Sequence, residues 1–498
     1  MNRSLLNGFR VPVALVFAFL LSACGTTNTN YITGEDQRGA YTWAQEVQLG
    51  TEADQQIQAQ YGLYNEDPAL TTYVDRVAAE VLETSAYNDP TTPAEVRNTP
   101  FHFRILDSPV VNAFALPGGY IYITRGLLSY LENEAQLAVV LGHEIGHVLG
   151  RHSSEQAARA QLSQLGLLGA AVVGGVVGGG RVAEGILNYG GTGLQLLQLS
   201  YGRDAERESD LAGVAYAEFA GYESSEAADF FIALQRLGEA SGQGSIPNFL
   251  STHPNPGERA QTIPQLAAEY NQPGEAVNAA EYLSQIEGIV LGEDPRQGYT
   301  EGNTFYHPEL RFRFSFPRGW QTQNSPAAFV MAEPNGQAVI QLTLATQSSA
   351  QEAARALASQ QGVQVSGSGA VTVGGNRGYR VEGTAQQQNG SLGFSATFVE
   401  YGSNVYQILG ITSASSFSQY VGAFRSTASS FDRLTDSRYL NREPIRLDVV
   451  TTSGSTSLQS LLRGRTLPSG LTEEEVAIMN QIRLGDTIPS GQRIKLPE

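Results

Sequence analysis

The run from Glu134 to Gly150 constrains this chain more than any other stretch, because it fixes a helix and what the helix carries. Leu137, Val140, Leu141, Ile145 and Val148 recur at helical spacing. Asn133 and Gln136 stand at capping-box spacing ahead of them, and Gly150 follows as a stop. Inside the run lies His143-Glu144-Ile145-Gly146-His147. Residues four apart share a helix face, so the two imidazoles can hold one ion, and the glutamate beside the first reaches a water activated by that ion. Two surface histidines with a neighbouring acid would spell the same letters, but the apolar stripe on both sides argues for a buried setting.

A catalytic zinc takes three protein ligands and keeps one position for water. The candidate third ligand is Glu206, in the helical stretch Ser200 to Asp210, with Asp210 on the same face four residues later. That spacing suits one carboxylate on the metal and one accepting the N–H of a ligand histidine, while Glu208 points elsewhere. Alone, such an acidic helix reads as a solvated face. His-Glu-x-x-His followed by a helix with Arg203, Glu206 and Asp210 resembles the gluzincin group that includes the CAAX prenyl proteases, the HtpX-like proteases and the periplasmic BepA-like proteases, over about Trp43 to Ala267. The resemblance implies a zincin-type metalloprotease domain with one Zn2+ on His143, His147 and Glu206, Glu144 as base or acid, and Asp210 as support.

Two further segments resemble the same group. Val111 to Gly119 is similar to its edge segment before the zinc helix, which implies that Asn112, Ala113 and Phe114 bind extended polypeptide by strand addition; the other reading is a plain turn. Thr252-His253-Pro254 with Arg259 is similar to a His-Pro element near the metal. His253 then either stabilises an oxyanion or occupies the open zinc position as a latch, and the plain alternative is a loop histidine capping a helix. His102, His152 and His307 are expected to be structural.

Residues 1–23 have the layout of a bacterial secretory signal: Arg3 and Arg10, an apolar run from Val11 to Leu21, then Leu21-Ser22-Ala23-Cys24. The last four resemble a lipobox, which implies cleavage before Cys24 and acylation of the chain's one cysteine. An uncleaved membrane helix, or an ordinary signal with a chance cysteine, is the alternative. Gly25 after the cysteine resembles the sorting pattern of Gram-negative outer-membrane lipoproteins, so the expected location is the periplasm with a lipid anchor in the outer membrane. Residues 24–40 are polar and read as a flexible tether.

The expected architecture is α+β: a mainly helical domain over 41–270, a polar linker over 271–300, a separate α+β domain over 301–435 and a last unit over 436–498. Phe312, Phe314 and Phe316 alternate with polar residues, Val339–Leu344 and Phe394–Phe398 repeat the strand pattern, and 374–378 is a turn. Ser349–Gln361 and Phe417–Leu434 supply helices. This domain resembles PsbP-like domains. From Ile445 the pattern runs strand, helix, helix, strand, and Gly485-Asp486-Thr487 with Pro489 to Gln492 resembles a LysM module. Leu165–Gly180 is apolar but holds seven glycines and is too short to span a bilayer, so it reads as a segment between metal ligands.

Asp plus Glu outnumber Lys plus Arg by 49 to 31, which leaves no electrostatic footprint for nucleic acid. The expected partners are polypeptide substrates and a membrane, with outer-membrane assembly machinery or peptidoglycan as further candidates. The reading is a zinc metalloendopeptidase acting on misfolded or stalled envelope proteins. The rival is a chaperone-like or partner-binding lipoprotein with a latched zinc site.

Overall fold

The computed structural model describes residues 26–159, 201–240, 248–271, 273–387 and 390–498. The signal and lipobox reading, Cys24 included, and the apolar Leu165–Gly180 segment lie outside the described residues. No helix among the described residues is long and apolar enough to cross a membrane.

The stretch whose polar composition marks it as a tether is instead an ordered hairpin of β1 (Thr26–Thr29) and β2 (Asp36–Gly39). It is held without apolar alternation. Asn30 Oδ1 accepts the backbone N–H groups of Ile32 and Thr33, Tyr31 N–H donates to Leu149 O at 3.0 Å, and Gln37 Nε2 donates to Gly150 O at 2.6 Å. The hairpin therefore serves the orphan carbonyls at the end of the His-bearing helix.

α1 (Trp43–Tyr61) starts at a full capping box between Thr42 and Gln45, and α2 (Pro68–Glu83) at an Asp67 cap. β3 (His102–Leu106), β4 (Ala113–Leu116) and β5 (Tyr120–Thr124) form a sheet of order β3-β5-β4, parallel between β3 and β5 and antiparallel between β4 and β5. α3 (Glu134–Leu149) crosses the centre with every residue buried, which explains its apolar composition on all sides. Asn133 caps it by accepting from Gln136 N–H, but the Gln136 side chain accepts from Glu132 N–H, so the box is closed one residue early. α4 (Arg203–Phe219) lies against α3 through small residues: a Cβ on Gly213 would come within 2.9 Å of His143 N. That close approach is what carries Glu206 to the histidines. α5 (Ala227–Ala240), α6 (Asn248–Thr252) and α7 (Pro256–Ala267) close the opposite side.

The expected linker also contains structure. α8 (Ala279–Ile286) buries Tyr282, Leu283 and Ile286 in the main core, and Tyr282 Oη donates to Leu128 O at 2.6 Å. A period of four over one turn and a half was too short a signal to separate from a polar connector.

Beyond it, β6 (Tyr299–Glu301), β7 (Thr304–His307) and β8 (Phe312–Ser315) form a small antiparallel sheet with a two-residue strand at Asp432–Arg433. β9 (Gln321–Asn324), β10 (Phe329–Ala332), β11 (Ala338–Leu344), β12 (Val363–Val373), β13 (Asn376–Gln387), β14 (Gly390–Tyr401) and β15 (Asn404–Ser413) make a second sheet, ordered β12-β13-β14-β15-β11-β10-β9. The β12–β13 hairpin turns on Gly374 and Gly375, both at positive φ (53° and 78°), the conformation a two-residue hairpin turn requires. α9 (Ala350–Ala358) and α10 (Phe417–Ser429) pack on this sheet. The Phe-rich core of this region and a second, Ala-rich one are separate from the core around α3.

The last unit runs β16 (Leu447–Thr451), α11 (Leu458–Leu462), α12 (Glu473–Met479) and β17 (Arg493–Pro497), with β16 and β17 antiparallel. It does not own its core: Leu447, Leu458, Val476, Ile478, Ile494 and Leu496 join the cluster that contains Leu137, Leu141 and Ile145 of α3. A unit of roughly 50 residues buries only a modest core of its own, and docking adds to it. Lys495, the chain's single lysine, is fully buried at this seam. Its Nζ donates to Ser129 O (2.9 Å) and Leu131 O (2.7 Å) and pairs as an ion with Glu132 Oε1 at 2.9 Å.

Candidate metal centre

The helical spacing of His143 and His147 puts both imidazoles on the face of α3 turned to α4, and their Nε2 atoms lie 3.0 Å apart. Glu206, in the first turn of α4, brings Oε2 to 3.7 Å from His143 Nε2 and Oε1 to 3.6 Å from His147 Nε2. His253 arrives from the loop after α6, with Nδ1 at 3.2 Å from His143 Nε2 and 3.1 Å from Glu206 Oε1. One donor atom from each of these four residues lies within 4.8 Å of the others. Two or three imidazole nitrogens and a carboxylate oxygen are the donor set of zinc and similar borderline divalent ions. Both carboxylate oxygens of Glu144 and Nε2 of His253 are buried without a hydrogen-bond partner, and His253 Nε2 is 3.5 Å from Glu144 Oε1. Buried polar atoms carry that cost where they serve a reacting or bound group. The residues fit a metal ion.

The electrostatics agree with those roles. Burial drives the pKa values of His143 and His147 well down, so both stay neutral and keep a lone pair for a metal. Burial also pushes Glu144 up to about 7, the range in which a carboxylate exchanges protons near neutrality. Glu206 is itself pushed up by burial, but the charge and hydrogen bond of His253 outweigh this and hold it below the ordinary carboxylate value. Burial opposes charge on His253, and the carboxylates of Glu206 and Glu144 overcome it and raise its pKa.

Asp210 lies where its spacing from Glu206 puts it, with Oδ1 at 3.0 Å from His143 Nδ1. Arg259 grips Asp210 from Nε and Nη2 (3.0 and 2.5 Å) and stacks over Phe231, with its carbon 4.0 Å from the ring centroid. With a metal at Nε2, the His143 Nδ1 proton has this carboxylate to donate to; Arg259 can only donate and aims at the same oxygen.

The edge segment is brought close in part. β4 is an edge strand beside α3, and Ala113 packs toward the main core. The Phe114 ring faces away, stacked on Tyr122 at 4.8 Å in a separate cluster. Asn112 is already engaged: its N–H donates to Thr124 Oγ1 and its carbonyl accepts Thr124 N–H. Phe249 N–H of α6 donates to Val111 O, so the loop that carries His253 is fastened to the start of this edge.

Three residues at the centre escaped the sequence reading. Tyr201 stacks on the His147 ring with centroids 3.9 Å apart; it was visible in the run before α4 but carried no spacing signal. His152, expected to be structural, has Nδ1 at 3.0 Å from His147 Nδ1. Glu208, expected to point elsewhere, has Oε1 at 3.2 Å from His152 Nε2. Its two-residue offsets from Glu206 and Asp210 turn it off their face, but toward the far side of the same site.

Residues 69–267 match the description Peptidase family M48. The chain is 29% identical over 219 residues to the beta-barrel assembly-enhancing protease of Escherichia coli O157:H7, covering 43% of this chain and 42% of that protein. It is 30% identical over 246 residues to the beta-barrel assembly-enhancing protease of Yersinia pestis (48% and 47%). It is 29% identical over 229 residues to the mitochondrial metalloendopeptidase OMA1 of Schizosaccharomyces pombe (45% and 61%). The chain thus spans less than half the length of the first two relatives.

Proposed function

We propose that this protein is a zinc-dependent metalloendopeptidase of peptidase family M48, the family that residues 69–267 match, with its metal held by His143, His147 and Glu206. The observation that carries the reading is the buried convergence of those three donors beside a glutamate, Glu144, with two unpartnered oxygens. Zinc held by those residues would supply Lewis acidity to a water and to the scissile carbonyl. Glu144 takes the water's proton and delivers it to the leaving amine, which a carboxylate with a pKa near 7 does in both directions. Asp210 fixes the His143 ring through Nδ1, and Arg259 fixes Asp210. The backbone of Ala113 and Phe114 receives extended substrate as an added strand.

A second state is favoured by one specific contact. His253 is fully buried and sits with Nδ1 among the donors of His143 and Glu206, where it fills the place a substrate carbonyl would need. In this latched state the protein binds zinc and does not cut. Opening requires the α6 loop to leave Val111.

The wider role extends the same proposal. Acylation at Cys24 and a periplasmic, outer-membrane location rest on the lipobox. The similarity to proteases named for beta-barrel assembly supports misfolded or stalled envelope polypeptides as substrates. The 301–435 domain is proposed as PsbP-like and the 436–498 unit as LysM-like, with a partner or peptidoglycan as its ligand, on the sequence patterns given above.

The test compares the chain from Gly25 onward with Glu144→Gln and His253→Ala. About one zinc in each, cleavage of an unfolded protein by the parent, and a loss of roughly 100-fold or more in Glu144→Gln are expected. Zinc in all three with cleavage only in His253→Ala supports the latched state. Cleavage undiminished in Glu144→Gln refutes the mechanism.

A further inference from the structure

His143 and His147 are supported differently. His143 has a carboxylate directly on its outer nitrogen. The outer nitrogen of His147 meets another imidazole, His152 Nδ1 at 3.0 Å, and His152 Nε2 in turn meets Glu208 Oε1 at 3.2 Å. Glu208 also accepts from Asn30 Nδ2 of the N-terminal hairpin. The direction of this chain is set by its ends. If His147 ligates through Nε2, its proton is on Nδ1; His152 Nδ1 must then accept, its own proton lies on Nε2, and Glu208 is the acceptor it needs.

The backbone between the two histidines is built for this contact. Arg151 has φ 56°, in the left-handed region that a non-glycine residue enters only when its surroundings hold it there. They do: its buried guanidinium bonds Glu46 Oε1 from Nε (3.0 Å) and Nη2 (2.6 Å), and Tyr41 O from Nη2 (2.9 Å). The reversal at Arg151 turns the chain back over the end of α3 and returns His152 to His147. Gly150, at φ −70° and ψ −11°, has ordinary helical backbone that any residue can adopt. What a side chain there could not avoid is the relay: its Cβ would lie 2.5 Å from His152 Nε2 and 2.9 Å from Glu208 Oε1. Helix stop, reversal and missing side chain all serve the placement of one ring.

We propose that His152 is a positioning residue for the metal: held by Glu208, and through Glu208 by Asn30 of the hairpin, it fixes the tautomer and orientation of His147. The inference rests on the metal-site reading above and adds to it that the hairpin nearest Cys24 belongs to the metal centre. A ligand histidine that loses its outer partner typically costs 10–100-fold in metal affinity.

The experiment measures zinc affinity by competition with a chromogenic chelator, and the visible spectrum of the Co2+-loaded protein, in the full chain and in His152→Leu, His152→Gln, Gly150→Ala and His147→Ala. His152→Leu is expected to bind zinc about 10–100-fold more weakly than the parent and to shift the Co2+ bands. His152→Gln, whose amide oxygen can accept from His147 Nδ1, should recover most of the affinity. Gly150→Ala should lose affinity in the same sense as His152→Leu, through displacement of His152 and of the Glu208 carboxylate that holds it. Thermal unfolding of the metal-free proteins keeps folding apart from binding, and if His152→Leu does not fold, the other two variants decide. A His152→Leu protein with parental affinity and spectrum, beside a His147→Ala protein that has lost zinc, overturns the relay and leaves the metal site standing. A parent no better than His147→Ala overturns both.

Discussion

The core around the metal centre and the cores of the 301–435 domain are built in opposite ways. The first is assembled from both ends of the chain: Val74 and Val77 of α2, Leu137 and Leu141 of α3, and Val476, Ile494 and Leu496 of the last unit belong to one cluster. The second is closed within its own segment, with Phe305, Phe312, Phe329, Phe424 and Phe431 packed on one another. Where the chain leaves the first body and returns to it, the two strands touch: Gly288 N–H donates to Leu447 O (2.7 Å), Leu447 N–H to Ile289 O (2.8 Å) and Leu291 N–H to Ile445 O (2.8 Å). The segment that carries the second core therefore lies between two parts of the first body, and the last 50 or so residues pack into the core of that body. Chain order hides this. The terminal unit, which looks appended, is integral, and the domain in the middle is the separable one.

The largest effect expected from that contrast is a reversal of the usual truncation logic. Ending the chain after Leu434 should leave α3 without a side of its core and abolish soluble, zinc-binding protein. Deleting 293–443 and joining the paired ends should retain zinc binding and cleavage, read by zinc content and by proteolysis of an unfolded protein. If the short chain survives and the deletion does not, the assignment of cores is wrong. Next, Lys495→Met strands Glu132 and two carbonyls at the seam and should cost about 4 kcal/mol of the main body's stability. The two tryptophans give separate signals, Trp43 in the first body and Trp320 in the 301–435 segment, so only the Trp43 transition should move.

The 301–435 segment has its own lever. Burial lowers the pKa of His307 from 6.5 to about 4, so the unfolded chain takes up that proton more readily than the folded one. Stability from this group is complete above pH 6.5 and is lost as pH falls through 4, at most about 3 kcal/mol. A Trp320 transition that weakens over this window in the parent, and less so in His307→Asn, is the expected result. An equal acid response in both would remove His307 as the cause. The smallest effect is at the α12 capping box, where Thr472→Ala should cost about 1 kcal/mol and again move Trp43 and not Trp320.

What was legible in the sequence was local. The two histidines on α3 lie four residues apart, and Glu206 and Asp210 four apart on a second helix, so helical periodicity alone placed each pair on one face. The joining of the two helices had a trace in Gly142 and Gly213, but glycines do not name their partners. The contact of His152 with His147 was not legible because it depends on the backbone reversal at Arg151, and a positive φ at an arginine has no sequence signature. The hairpin was missed because it is held by Asn30, Gln37 and main-chain bonds to the end of α3, which leaves no alternation to read. The shared core was missed because strand and helix patterns give the shape of the last unit and nothing about which surface its apolar side chains meet.

The burial of Lys495 has a consequence for chemistry done on the protein from outside. It is the only lysine in the sequence and has no exposed surface, so the folded body offers amine-directed reagents no lysine side chain at all. An acylating label, an aldehyde crosslinker or a lysine-specific endopeptidase would find its single lysine target only after β17 has lifted from the Ser129–Glu132 carbonyls. Reaction at that one position would then count how often, and for how long, the end of the chain lets go of the helix that carries the metal ligands.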